Sequence, residues 1–265
     1  MGRMPIDDNF PGGLSTRLTS PSDDSADPPR PNDYDSFAEA YSSENEVNLH
    51  NAYYERPAML ALAGDVAGRR VLDVGCGSGP LFAALRDRGA IMTGFDSSAG
   101  MLELARRRLG DDADLQVADL GSPLPFSDGA FDDVVASLVL HYLEDWAAPL
   151  AELRRVLKPG GRLIASVNHP LVGHPLVRPG ADYFATYEWS DEITTASGQR
   201  YILANWHRPL HAMIDAFTAA GFRIAVISEP LPAPDTPREL LPDFLKDKPS
   251  GSGFVCFLFF VLQAD

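Results

Sequence analysis

The segment VLDVGCGSGP, residues 71 to 80, constrains the fold more than any other. An apolar run enters three glycines at alternate positions, Gly75, Gly77 and Gly79, and leaves at Pro80. Glycine is required where φ is positive or where a ligand must touch the backbone. The segment predicts a buried strand, a tight turn and a helix whose first N–H groups and partial positive charge face the turn. Such a turn also occurs with no ligand, so by itself it does not establish a binding site.

A regular alternation surrounds this segment. Strands are predicted at Arg70–Val74, Ile91–Phe95, Leu115–Ala118, Phe131–Ser137 and Arg162–Val167. The intervening helices run to Arg88, from Ser97 as N-cap to Gly110, and from Trp146 to Leu157, the last stopped by Pro159-Gly160-Gly161. Strands alternating with helices imply right-handed crossovers and a mostly parallel sheet covered on both faces. After Asn168 the rhythm breaks. Residues 169 to 206 are rich in Pro, Gly and aromatics and read as an insertion, with a hairpin turning near Ser197-Gly198. A helix at Pro209–Ala220, a strand at Phe222–Ser228 and a final strand at Phe254–Leu262 follow. The last is apolar on both faces and should lie inside the sheet.

Residues 1 to 30 are polar, Pro-rich and Ser-rich and are expected to be a disordered tail before a single domain at 31–265. Residues 31–62 turn helical, with Tyr34, Phe37 and Tyr41 on one face. That helix reads either as packing on the sheet or as a lid over a pocket, with Phe37 assigned to packing and Tyr34 or Tyr41 to the pocket. It could also pack on a second copy of the chain.

The 22 Lys and Arg are outnumbered by 37 Asp and Glu, a net charge of −15. Such a surface repels phosphate backbones and anionic lipid, which argues against nucleic acid or membrane partners and for a small neutral or cationic ligand. Cys76 and Cys256, the two cysteines, look like thiols in a reducing compartment and lack metal-site spacing. No apolar leader or spanning run is visible, so a cytoplasmic protein is expected.

Two acids extend the glycine turn into a site. Asp96 ends the second strand 23 residues after Asp73, where a carboxylate can bind both ribose hydroxyls of an adenosine group. Asp119 follows the third strand 23 residues later and can accept from an adenine amine. Each acid alone could be a helix cap. Together, three strand ends converge on one sheet edge, where folds of this class bind ligands. The dinucleotide pattern G-x-G-x-x-G is not met, because Pro80 stands where its third glycine belongs, and no Gly-Lys-Ser/Thr marks a P-loop.

The segments VLDVGCGSG, GFDSSAGML, VADLGSPLPF, FDDVVASLVLHYL and LRRVLKPGGRLI resemble, in order, the motifs of class I S-adenosylmethionine-dependent methyltransferases. They are similar in particular to the menaquinone and ubiquinone biosynthesis type and its small-molecule relatives. The resemblance covers residues 31 to 168 and fades over 169 to 206. It implies a Rossmann-like seven-stranded sheet, mostly parallel, with the last strand antiparallel and helices on both faces. It implies that Asp73 and the backbone of Gly75, Cys76, Gly77 and Gly79 hold the methionine end of S-adenosylmethionine. Asp96 would bind the ribose, and Ser97, Met101, Ala118, Asp119 and Leu120 would frame the adenine. Ser137 and Leu138 would lie beneath the sulfonium. Cys76 reads as a small filler rather than a nucleophile.

Methyl transfer needs little beyond alignment and the exclusion of water. A base helps only where the acceptor must lose a proton, and the candidates are His169 and His141, each following a strand on the expected edge. His211 and His174 read as surface or packing residues. Tyr34, Tyr41, Tyr142, Tyr187, Trp189, Trp206 and His207 could build a pocket for an aromatic, quinone-like or prenylated acceptor, or could simply pack. An NAD(P)-dependent oxidoreductase, or a non-catalytic nucleoside-binding protein of the same fold, are the competing expectations.

Overall fold

A computed structural model describes residues 30–172, 180–194, 198, 200–248 and 252–265. The tail expected before residue 30, His174 and most of the hairpin turn lie outside these. Nine strands are described, β1 (Arg70–Val74), β2 (Ile91–Asp96), β3 (Asp114–Val117), β4 (Phe131–Ser137), β5 (Leu157–Asn168), β6 (Tyr187–Thr194), β7 (Arg200–His207), β8 (Phe222–Ser228) and β9 (Phe257–Ala264). Seven of them form one sheet in the order β3-β2-β1-β4-β5-β9-β8. Strands β1 to β5 are parallel, and β9 runs antiparallel to both β5 and β8. β9 is therefore interior, as its two apolar faces require. β6 and β7 form a separate antiparallel hairpin.

Both faces of the central strands are buried. Leu72, Val134 and Leu163 pack on one face with Trp146, with Leu150 and Leu153 of α5 (Ala147–Val156) and with Phe217 of α6 (Leu210–Ala219). Val71, Val135 and Ile164 face the other way. There they meet Ala58 and Met59 of α2 (Arg56–Ala63), Phe82 and Leu85 of α3 (Pro80–Arg86), and Ala105 of α4 (Ala99–Leu109). The opposed faces of neighbouring residues follow from the two-residue repeat of a strand.

Local readings needed four adjustments. The N-cap of α4 is Ser98, whose hydroxyl accepts from Met101 N, so Ser97 is left to face the cleft described below. β3 begins and ends one residue earlier than expected. Pro159-Gly160-Gly161 does not separate helix from strand. It lies within β5 at a shift of pairing register with β4, and a Cβ on Gly161 would sit 2.9 Å from the Asp132 carbonyl. β9 starts at Phe257, not Phe254.

The N-terminal segment, with α1 (Ala38–Asn45) and a π-turn at Asn51–Glu55, closes over the C-terminal edge of the sheet. Asp35 ties it to the start of α4, accepting from Ser98 Oγ at 2.6 Å and Gly100 N at 2.7 Å. Asn32 adopts φ 57° and brackets Ala204 of β7, donating to its carbonyl and accepting from its N–H. Phe37 stacks on Tyr201 at 4.1 Å, which fits the packing role expected of it. The segment thus joins sheet edge and hairpin.

Candidate active site

The sheet order reverses between β1 and β4, and at such a point the two adjoining loops diverge and leave a crevice. A cavity of about 270 Å³ opens there. Its floor is the glycine turn. Gly75 has φ 63°, and a Cβ on it would come within 2.8 Å of Val139 Cγ2. Gly77 has φ 55° with no atom within 4 Å of the Cβ position, so its backbone is open to the cavity. Gly79 is different. It caps α3 with φ 79°, and its Cβ would strike Leu109 at 2.9 Å, so this glycine serves the packing of α3 on α4 and does not line the cavity.

Three acids face this floor. Asp73, at 1% exposure, lies close to the Phe82 N–H of α3, which favours its charged form, while its Oδ2 has no hydrogen-bond partner among the described residues. Burial, and then repulsion from Glu55 and Asp96, hold its carboxyl well above the usual range. Asp96 accepts from Gly77 N at 2.8 Å and Ser98 N at 2.9 Å, fixing the turn against the β2 end. Each of its oxygens keeps a second lone pair. Burial raises its pKa against those bonds. Asp119 accepts from Gly121 N and lies at the exposed rim.

Of the other expected donor-site residues, Cys76, Ser97, Met101, Ala118, Leu120, Ser137 and Leu138 all line the cavity. Leu138 holds φ 53°, unusual for a side chain of its size, with its N–H bonded to Ser166 Oγ at 3.0 Å. Cys76 is a buried free thiol against Gly94, as is fitting for a filler.

The expected acceptor residues divide. Tyr34, Tyr41 and Tyr142 line the cavity, with the Tyr34 and Tyr142 hydroxyls 2.6 Å apart and the Tyr34 and Tyr41 rings edge to face at 5.0 Å. Burial raises the pKa of all three. Tyr187, Trp189, Trp206 and His207 do not line it. They belong to the hairpin, where His207 stacks on Tyr187 at 4.8 Å and bonds the Tyr183 carbonyl.

Neither expected base reaches the cavity. His141 is buried, accepts from Asn168 N at 3.3 Å, and is held neutral by burial, with its pKa pushed down to about 3. His169 turns away to Glu229 at 2.8 Å and accepts from Leu171 N. Sequence position placed both near the right edge but could not say which way the rings turn.

Glu55, Arg56, Asn45 and Asn51 line the cavity and were not anticipated. The signal for three of them was the polar residues Asn51, Glu55 and Arg56 of NAYYER, directly before the apolar run PAMLALA. Glu55, 3% exposed, places Oε1 between Ser137 Oγ (2.7 Å) and Ser166 Oγ (2.6 Å), joining the ends of β4 and β5. Burial raises its pKa. Among the described residues no cluster of His, Cys, Asp and Glu could hold a metal, and no helix is long and apolar enough to cross a membrane.

Comparison with known proteins agrees with this geometry. Residues 72–165 match the methyltransferase-domain family. A demethylmenaquinone methyltransferase of Clavibacter sepedonicus is 36% identical over 194 residues, covering 66% of this chain and 78% of that protein. A ubiquinone/menaquinone biosynthesis C-methyltransferase of Desulfotalea psychrophila is 35% identical, covering 58% and 63%. Among solved structures, an S-adenosylmethionine-dependent methyltransferase of Mesorhizobium loti is 28% identical with a TM-score of 0.59, covering 78% of this chain and 96% of that one.

Proposed function

Since this chain belongs to the class I S-adenosylmethionine-dependent methyltransferases of the menaquinone and ubiquinone biosynthesis type, we propose that it methylates a small, largely apolar acceptor, at carbon or oxygen, admitted beside Tyr34, Tyr41 and Tyr142. The observation that carries this reading is the single cleft in which the glycine turn, Asp96 and Asp119 stand beside these three tyrosines.

The residues present fit the donor. The unpartnered Oδ2 of Asp73 suits a cationic amino group, and the open backbone at Gly77 suits close approach of the methionine end. Asp96 suits the ribose diol, and Met101, Ala118 and Leu120 suit an apolar slot for adenine with Asp119 at its amine edge. When bound, S-adenosylmethionine supplies an electrophilic methyl group on a cationic sulfur. The remaining work of the chain is alignment and dryness. Leu138, fixed by Ser166, sets the floor, and the tyrosines exclude water from the acceptor side. The tyrosine faces also suit a planar or cationic acceptor by stacking and by their quadrupoles. The relatives named for quinone biosynthesis support an aromatic acceptor. His141 and His169 take no part in this reading, and the transfer proceeds by positioning.

Isothermal titration with S-adenosylmethionine and with NADH tests the donor. Mass spectrometry of the protein incubated with S-adenosylmethionine and a panel of quinols, phenols and prenylated rings tests the acceptor. A mass gain on none of these, with a gain on a polar acceptor, would overturn the apolar reading.

A further inference from the structure

Two buried carboxylates stand together in the cleft without a cation between them. Asp73 has an oxygen with no partner, and the neighbouring charge of Glu55 is the largest electrostatic influence on it. Glu55 receives both serine hydroxyls on Oε1, which leaves Oε2 with no hydrogen bond among the described residues. The adjoining cation, Arg56, eases the charge of Glu55 at a distance but makes its bonds elsewhere. Its guanidinium donates to the Asn45 carbonyl at 3.1 Å and lies 3.8 Å from Glu46. Burying paired negative charge is costly unless a cation joins it. Glu55 is also held in place. It sits on a π-turn, a feature frequent at functional sites, and its serine partners Ser137 and Ser166 are register neighbours on β4 and β5.

We propose that Glu55 is a donor-binding residue, which with Asp73 forms a two-carboxylate receptor for the ammonium group at the methionine end of the donor. This rests on the methyltransferase reading above and extends it to a residue of the N-terminal segment. The segment then closes the cleft and reads the donor at once. A ligand lacking the ammonium leaves the two carboxylates facing each other, so the receptor selects for the amino-acid end of the donor rather than for its nucleoside.

Calorimetry with S-adenosylhomocysteine and with 5′-methylthioadenosine, which lacks the amino acid, tests the proposal. Glu55→Gln keeps an oxygen for both serines but removes the charge, and Glu55→Asp keeps the charge but retreats from the serines. Loss of a charge-assisted bond predicts that Glu55→Gln weakens S-adenosylhomocysteine at least about tenfold while leaving methylthioadenosine within about twofold. Glu55→Asp should keep most of the preference between the two ligands. If the residue serves only to clip the strand ends, the order reverses, with Gln tolerated and Asp harmful to both ligands. That result, or an unchanged ratio in Glu55→Gln, overturns the proposal while the methyltransferase reading stands. Failure of the wild-type protein to bind S-adenosylhomocysteine overturns both.

Discussion

Replacing Asp73 with Asn should make the ligand-free protein more stable and a poorer binder of the donor. Asp73 has one oxygen near the Phe82 N–H and leaves Oδ2 buried and unpartnered in the cavity it shares with Glu55. An Asn side chain has the same shape. Its oxygen can keep the place near the Phe82 N–H, and its amide can donate toward Glu55 where two carboxylates now repel. Removing such a buried charge is worth about 1–2 kcal/mol, within the range of stabilising substitutions at functional sites. For a domain of this size that corresponds to a rise of about 2–8 °C in melting temperature. The pH dependence follows from linkage. The folded-state pKa of Asp73 is raised above 3.8, so the folded protein holds the proton longer than the unfolded chain. Wild-type stability therefore falls as pH rises from about 4 through the folded pKa, a loss that the Asn variant lacks. The stabilisation should be small near pH 4 and should grow as pH rises through the folded pKa. Thermal melts of the ligand-free proteins across this range, paired with calorimetry of S-adenosylhomocysteine, measure both effects. A destabilised variant at neutral pH, or one with unchanged donor affinity, would refute the reasoning, since it would mean that the carboxylate is already compensated.

Asp96→Ala should weaken S-adenosylmethionine at least about tenfold by calorimetry, through loss of a charged acceptor. It should also loosen the turn held through Gly77 N. Gly75→Ala should cost about 2 kcal/mol or more in denaturant melts, from the left-handed backbone together with a 2.8 Å clash at Val139. Gly77→Ala meets no atom of the protein, so it should cost about 1 kcal/mol, with the larger loss appearing in donor affinity. At the opposite edge of the sheet, fully buried Asp133 is gripped by Arg162 at 2.7 Å and by Arg69. Asp133→Ala should therefore cost about 3 kcal/mol with little change in donor affinity. His141→Gln should leave the pH profile of methyl transfer unshifted, because His141 stays neutral at every working pH.

The order of strands and helices was legible in the sequence, because apolar runs of strand length alternate with amphipathic segments and glycines end them. The convergence of the residues expected to hold the donor was legible as well. The glycine turn, Asp96 and Asp119 each sit at a strand end, and in a parallel sheet every strand end of one kind meets at one edge. Side-chain direction off that edge was decided only by tertiary packing. His141 and His169 share the edge with Ser137, yet burial under the Asn168 N–H claims one and Glu229 claims the other. The hairpin that carries Trp189 and Trp206 was legible from its turn at Ser197-Gly198, but its place beside the cavity was not, since pairing of β6 with β7 fixes which face each residue takes. Gly79 sits two residues from Gly77 in the same motif and faces a helix instead of the ligand cavity. Glu55 was illegible for the same reason. It lies 18 residues before Asp73, in a segment with no strand to place it, and it joins the site because the N-terminal helices fold back over the sheet edge.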